Sequence, residues 1–279
     1  MKPILFNLGP ITVYSFGLMM ALAFLTANWL FSRRARQLGW SEKFVSAITF
    51  IALIGGIIGA KLFHLLEYPE IFLRDPIGAV FSGEGLTFHG GLIIAAISIG
   101  VFVKRKGVPF FVLADALAPS LILAYGIGRI GCQLAGDGDY GIPSKLPWAM
   151  TYPNGTVPTL SHINLELRQK YEQMYPGEPV PSDIAVHPAP VYETLASVLI
   201  FFILYRLQQR NQHPDGWLFA LYLVLAGLER FLVEFIRLNP TYGGLSQAQW
   251  VSLGMIVCGA ILLMVRSTRA PSQAARSTP

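Results

Sequence analysis

Long apolar runs separated by short polar segments make up most of this chain of 279 residues. A helix needs about 20 apolar residues to cross the ~30 Å hydrocarbon core of a bilayer. Runs of suitable character lie near residues 12–31, 44–66, 89–103, 110–130, 190–205, 216–236 and 249–265. The pattern therefore predicts an all-α integral membrane protein with about seven transmembrane helices.

One polar stretch, residues 137–188, interrupts this pattern. It is rich in proline and contains more acidic than basic residues, as expected of a solvated segment. We interpret residues 1–279 as a single transmembrane bundle and residues 137–188 as an extracytoplasmic loop subdomain. Within that loop, apolar residues at helical spacing predict a helix over 161–174.

Composition supports a membrane protein. Hydrophobic residues make up 53% of the chain and charged residues only 13%, against about 25% charged residues in a soluble domain. This balance argues against a disordered chain and against an ordinary soluble enzyme. Two cysteines, Cys132 and Cys258, are too few for a disulfide framework or a multi-thiolate metal site.

The basic residues predict how the bundle is oriented. Most Lys and Arg lie in residues 32–43, 104–109 and 206–215 and in the C-terminal tail, which are all on the same side of a seven-span bundle. Basic loops are retained in the cytoplasm, so we expect the N-terminus outside and the C-terminus in the cytoplasm. The net charge of +5 is then explained by loops at an anionic membrane surface, and we expect no nucleic-acid partner.

A few ionisable residues remain within or beside the apolar runs, where an isolated charge costs ~2.5–3.5 kcal/mol. In the predicted topology they converge on the outer half of the membrane. Taken singly, they are explained equally well by snorkelling at helix ends or by structural ion pairs. Three cationic or polarising groups from three helices, His89, Arg129 and Arg230, instead indicate a phosphate site, because the planar guanidinium fork fits a phosphate in two places.

Glycines accompany two of these groups. Gly128 and Gly131 surround Arg129, and Gly90 and Gly91 follow His89. Gly-rich backbone can present N–H groups to an anion, although small-residue helix packing explains any one of these glycines as well. The chain lacks the metalloprotease and nucleophile-elbow motifs, and we expect neither a metal nor another cofactor. Cys132 is either a packing residue or a thiolate of low pKa beside Arg129.

Four sequence blocks, in this order, resemble the prolipoprotein diacylglyceryl transferases. The blocks are Gly83-Glu-Gly-Leu-Thr-Phe-His89-Gly-Gly-Leu92, Gly128-Arg129-Ile-Gly131 through Gly141, His187-Pro-x-x-x-Tyr192-Glu193, and Arg230-x-x-x-Glu234-x-x-Arg237. The resemblance extends to Phe16-Gly17-Leu18-Met19 and to Asp115 with Ala118-Pro119, and so covers nearly the whole chain.

This resemblance implies a multi-pass protein of the bacterial inner membrane. Its two substrates would be phosphatidylglycerol and the lipobox cysteine of prolipoprotein signal peptides, and glycerol phosphate would be the second product. The resemblance assigns catalysis to His89 and to Arg129 and Arg230, with the two arginines as phosphate clamps. His89 is a candidate base for the thiol, and a positioning role explains it equally well. The residues that it implies in substrate binding or orientation are Tyr14, Gly90, Gly91, Gly131, Asp137, Asp139, Gly141, Glu193, Glu234 and Arg237.

The chain departs from the family pattern at several positions. Cys132 and Ala135 stand where many members have Asn, and two aspartates, Asp137 and Asp139, compete for the place of one acidic residue. Gln133 and these aspartates are candidates to replace the lost amide donors. The main expectation is an active transferase of a divergent subgroup, and the alternative is an inactive lipid-binding or lipoprotein-assembly paralogue. A transporter is disfavoured because transport sites usually lie at the membrane midplane.

Overall fold

The computed structural model describes residues 1–9, 11–81, 87–210 and 212–268. The sequence begins with an antiparallel hairpin, β1 (Ile4–Leu8) and β2 (Ile11–Tyr14), and continues into helices. These are α1 (Ser15–Gln37), α2 (Glu42–Glu67), α3 (Pro69–Arg74), α4 (Pro76–Phe81), α5 (Phe88–Arg105), α6 (Phe110–Ala135), α7 (Leu165–Met174), α8 (Ala189–Arg210), α9 (Trp217–Val233) and α10 (Gln247–Ser267). A 3₁₀ turn, Glu234–Ile236, follows α9, and a short hairpin, β3 (Thr241–Tyr242) with β4 (Leu245–Ser246), precedes α10.

Among the described residues, five helices are long and apolar enough to cross a membrane: α1, α2, α6, α8 and α10. The expectation of a mostly helical membrane protein is therefore confirmed at this level. Helices α5 and α9 coincide with the apolar runs near 89–103 and 216–236. The count of seven spans and their orientation stay predictions.

The chain divides into two compact units, which are described separately. One contains Met1–Leu30 and the described residues from Asp115 onward, and the other contains Phe31–Ala114. In the second unit, α2 packs closely against α5. A Cβ atom on Gly59 would lie 2.4 Å from the carbonyl oxygen of Gly90, and one on Gly91 would lie 2.7 Å from that of Gly56. The glycines therefore allow the two helix backbones to approach each other.

In the first unit, a half-buried carboxylate ties α6 to the start of α9. Asp115 Oδ2 accepts a hydrogen bond from the backbone N–H of Gly216 at 2.6 Å, and its Oδ1 accepts one from that of Phe219 at 2.7 Å. Helix N-termini leave N–H groups without intrahelical partners, so Asp115 caps α9 from a neighbouring helix. The amide of Gln208 on α8 donates to the Asp115 carbonyl at 2.8 Å, which joins a third helix to the same point.

The polar stretch 137–188 forms a small structured region around helix α7. Its core is built from buried residues, namely Tyr140, Tyr152, Leu167, Tyr171, Ile184 and Val186. The helix predicted over 161–174 is present as Leu165–Met174, and it begins where the side chain of Asn164 accepts a hydrogen bond from the N–H of Leu167 at 3.0 Å. Bridges such as Pro143 with Val186 close the region beside α8.

Candidate active site

Arg129 lies in the last two turns of α6 and belongs to a cluster of paired arginine and carboxylate side chains. Its guanidinium lies over the ring of Tyr125, 4.9 Å from the centroid, and its Nε lies 3.4 Å from Glu193 Oε2. A second guanidinium nitrogen donates to Asp139 Oδ2 and lies 3.7 Å from Cys132 Sγ. Stacking and pairing together fix the orientation of this long side chain.

Glu193, in the second turn of α8, is the centre of the cluster and its side chain is fully buried. Besides Arg129, its carboxylate contacts Arg230 Nη1 at 3.3 Å and Arg237 Nη1 at 3.7 Å, and it accepts a hydrogen bond from Tyr125 Oη at 2.8 Å. A buried carboxylate is stable only when it is paired and hydrogen-bonded. Glu193 therefore holds guanidinium groups from separate parts of the chain at one point.

Arg230, Glu234 and Arg237 follow one another at spacings of four and three residues, as the sequence pattern indicated. Glu234 Oε2 lies 2.8 Å from Arg230 Nη2 and 3.7 Å from Arg237 Nε. Its other oxygen accepts a hydrogen bond from the Asn239 amide at 2.7 Å. Because α9 gives way to a 3₁₀ turn at Glu234, Arg237 points back toward the cluster from outside the helix.

The Gly-rich segment after α6 brings Asp139 to the cluster. Gly136 and Gly138 have φ of +58° and +92°, a left-handed conformation that favours glycine. A Cβ on Gly141 would lie 2.4 Å from the carbonyl oxygen of Ile236. The Gly-rich segment therefore passes directly beside the backbone that precedes Arg237. The two Asp139 oxygens accept hydrogen bonds from Arg129 and Arg237 separately, whereas Asp137 accepts one from the backbone N–H of Asp139 at 3.3 Å.

The groups of the cluster that form ion pairs with one another are equal in number. Three guanidinium groups, from Arg129, Arg230 and Arg237, face three carboxylates, from Asp139, Glu193 and Glu234. Burial works to raise the pKa of Asp139, but Arg237 and Arg129 outweigh it and hold that pKa below its usual value. Burial would lower the pKa of Arg237, and Asp139 and Glu193 raise it instead. Both groups are therefore charged at neutral pH.

The same cluster weighs against a cation site. Cys132, Asp137 and Asp139 place their ligand atoms within 4.8 Å of one another. Asp139, however, is already paired with two arginines, whose positive charge opposes a metal ion at this point. The arrangement suits an anion bound by the arginines better than a metal bound by the acids.

The structure brings together six of the residues predicted for the site: Arg129, Asp139, Glu193, Arg230, Glu234 and Arg237. Gly131 packs against α1, where a Cβ would lie 3.1 Å from that of Met19. Tyr14 ends β2 with an exposed side chain. His89 is exposed in the first turn of α5, next to Gly90, and belongs to the other unit.

Sequence reasoning missed two residues of the cluster, Tyr125 and Asn239. Tyr125 lies one helical turn before Arg129, so its place on the same face of α6 was a usable signal. Asn239 lies beyond the end of α9, where helical spacing gives no guide. Its contact with Glu234 depends on the path of the chain after the 3₁₀ turn.

Comparison with known proteins identifies the family to which this chain is similar. The family model of prolipoprotein diacylglyceryl transferase matches residues 3–265. Relatives named phosphatidylglycerol–prolipoprotein diacylglyceryl transferase include one from Clostridium tetani, which is 31% identical over 95% of this chain and 98% of its own length. The relative from Bordetella avium is 32% identical over 97% of both chains, and that from Escherichia coli O1:K1 is 29% identical over 97% of this chain and 95% of its own. This chain belongs to the prolipoprotein diacylglyceryl transferase family.

Proposed function

We propose that this protein transfers the diacylglyceryl group of phosphatidylglycerol to the lipobox cysteine of prolipoproteins. Membership of the family and the names of its relatives support this reaction. The observation that carries the proposal is the pairing of Arg129 and Arg230 with one buried carboxylate, Glu193. Their own side chains remain 17% and 21% exposed, so each can present guanidinium N–H groups to a lipid phosphate.

The chemistry explains why such a clamp is needed. The thiol sulfur forms a bond to the terminal glyceryl carbon of the lipid, and the bond between that carbon and the phosphate oxygen breaks. The thiol proton leaves, and glycerol phosphate departs with the bonding electron pair. Arg129 and Arg230 bind the phosphate in the ground state and stabilise the negative charge that grows on it in the transition state.

The remaining residues receive their roles from this proposal. Glu193 and Glu234 orient the arginines through the contacts described above. His89 is the proposed base for the thiol, since a histidine can exchange a proton near neutral pH. Tyr14, on the exposed end of β2, is proposed to line the lipid path, and Gly90, Gly91, Gly131, Asp137 and Gly141 to shape the substrate site.

The membrane arrangement is part of the same proposal. Helices α5 and α9 are taken as spans in addition to the five helices that meet the criteria of length and apolarity. The basic loops then place the N-terminus outside and the C-terminus in the cytoplasm of the bacterial inner membrane. In that orientation, the outer leaflet lies beside the end of α6, the start of α8 and the end of α9. Residues 137–188 then lie on the extracytoplasmic side of the inner membrane.

The test is reconstitution of the reaction from purified components. The purified protein is incubated with phosphatidylglycerol and a lipobox peptide, and the lipidated thioether and glycerol phosphate are measured by mass spectrometry. We expect both products, in equal amounts, and neither from a peptide with Ser in place of the lipobox Cys. Lipid binding without product, where a relative of known activity works, would favour the inactive lipid-binding paralogue.

A further inference from the structure

Asp139 differs from the other two carboxylates of the cluster in where it lies. Glu193 sits within α8 and Glu234 within the 3₁₀ turn after α9, and their side chains are 0% and 1% exposed. Asp139 lies on the Gly-rich segment between α6 and residues 141–188, and its side chain is 31% exposed. Of the three anions that neutralise the arginines, Asp139 is therefore the most accessible to water.

Its contacts resemble those that a phosphate would make. One carboxylate oxygen accepts from Arg129 and the other from Arg237, so a single anion bridges two guanidinium groups. Two oxygens of a phosphodiester can bridge two guanidinium groups in the same way. We propose that Asp139 is an internal counter-ion that occupies part of the phosphate site and is displaced when the lipid phosphate binds. This inference rests on the proposed function, because it takes the phosphate of phosphatidylglycerol as the incoming anion.

The charge balance gives the physical reason for an exchange. Three carboxylates already neutralise three guanidinium groups, so an added phosphate would leave excess negative charge in a poorly solvated site. Releasing Glu193 or Glu234 would strand a buried carboxylate, which is strongly unfavourable. Asp139 can move into water, because its side chain is already 31% exposed. It follows Gly136 and Gly138, which have positive φ angles and the conformational freedom of glycine.

Protonation of Asp139 would also release the arginines, but the carboxylate does not take up a proton near neutral pH. Arg237 and Arg129 hold its pKa below the usual value against the opposing effect of burial, so it stays ionised near neutral pH. A second anion is then required to free the arginines. The exchange also selects the ligand, because a lipid that lacks a phosphate cannot replace the carboxylate.

A purely positioning role for Asp139 predicts the opposite result from a counter-ion role. If Asp139 only holds the arginines in place, neutralising it weakens phosphate binding. If it competes with phosphate, neutralising it strengthens binding. The direction of the change in affinity therefore distinguishes the two roles, whatever happens to turnover.

The experiment measures binding of dihexanoyl phosphatidylglycerol to the full-length protein in detergent, for wild type, Asp139→Asn and Asp139→Ala. We expect both variants to bind this lipid about tenfold more tightly, as expected for loss of one competing charge pair. They should also bind inorganic phosphate more tightly, whereas affinity for dihexanoylglycerol should not change. Glu178→Gln is the matched control, since it removes a carboxylate from an exposed pair with Lys145 in the same polar region, and it should leave all affinities unchanged.

Wild-type protein provides a second test that does not depend on the folding of a variant. Carboxyl labelling with carbodiimide and glycine ethyl ester should modify Asp139 more extensively once dihexanoyl phosphatidylglycerol is added, because its contacts with the arginines are broken. Unchanged or weaker lipid binding by folded variants, or unchanged or reduced labelling of Asp139, would overturn the counter-ion role. Failure of the proposed function would look different: wild type itself would form no thioether in the reconstituted reaction.

Discussion

The phenol of Tyr125 donates a hydrogen bond to Glu193 Oε1 at 2.8 Å, across the interface between α6 and α8. The same Glu193 oxygen lies 3.3 Å from Arg230, and the ring of Tyr125 lies beneath the guanidinium of Arg129. One tyrosine thus touches both the central carboxylate and one of the two proposed phosphate clamps. This double contact gives it a positioning role for both arginines.

Replacing Tyr125 with Phe keeps the ring and removes only the hydroxyl. We expect turnover of phosphatidylglycerol to fall about tenfold, because a hydrogen bond to a charged group contributes about 1.5 kcal/mol. Initial rates of thioether formation at saturating lipid check this. Tyr171→Phe, which removes a hydroxyl from the core of residues 137–188, should retain the wild-type rate. Equal rates in the Tyr125 and Tyr171 variants would contradict the positioning role.

The two proposed clamps should each be indispensable. Arg129→Ala and Arg230→Ala both remove a guanidinium that faces the departing phosphate and leave Glu193 with fewer partners. Turnover should fall at least about a hundredfold in each, the range found when one donor to a developing oxyanion is removed. Arg168→Ala breaks an exposed pair with Glu172 and serves as the control. A near-normal rate in either clamp variant would remove that residue from the phosphate site.

Cys132 should be dispensable despite its contact with the cluster. Its sulfur lies 3.7 Å from an Arg129 nitrogen that already pairs with Asp139, so a serine hydroxyl can occupy the same place. We expect Cys132→Ser to retain turnover within about twofold, since the sulfur makes only a weak hydrogen bond. Treating wild type with a thiol reagent is a poorer test, because the added group itself would crowd Arg129. Loss of most activity in the serine variant would mean that the thiol takes part in the reaction.

Much of the fold and part of the site could be predicted from the sequence, because charged residues are costly in the hydrocarbon core of a membrane and therefore mark either loops or a site. Apolar runs identified the long helices, and the charges left beside them indicated His89, Arg129 and Arg230 as a group, of which Arg129 and Arg230 meet at Glu193 while His89 belongs to the other unit. Helical spacing also linked Arg230 to Glu234 and Arg237, although α9 ends at Val233 and Arg237 lies beyond the 3₁₀ turn, so the three residues do not share one helix. Each of these inferences needs only the period of a helix and the cost of a charge in hydrocarbon.

The remainder depended on the path of the backbone between elements. The sequence could not tell Asp137 from Asp139, and the choice follows from the turns at Gly136 and Gly138. Asp115 was visible as a charge inside an apolar run, but its task of capping α9 requires knowing that α9 begins beside it. Such contacts between distant parts of a chain have no periodic signal in the sequence.

The last prediction concerns the close approach that aligns Asp139 with Arg237. The N–H of Gly141 donates to the His187 carbonyl at 2.8 Å, and that of Ile142 donates to the Ile236 carbonyl at 2.7 Å. A Cβ on Gly141 would lie 2.4 Å from the same Ile236 oxygen and 2.9 Å from the Cβ of His187. Backbone must move to relieve such contacts, so Gly141→Ala should lower the free energy of unfolding by about 1–3 kcal/mol.

The same substitution should reduce turnover, because relief of the contact moves the backbone at Ile236 and displaces the neighbouring Arg237 from Glu193. Thermal unfolding in detergent and the rate of thioether formation measure the two effects together. Gly254→Ala in α10 is the matched control: a Cβ there has nothing within 4 Å, and alanine is the better helix former. We therefore expect that variant to be as active as wild type and at least as stable, whereas a stable and fully active Gly141 variant would show that the segment tolerates displacement.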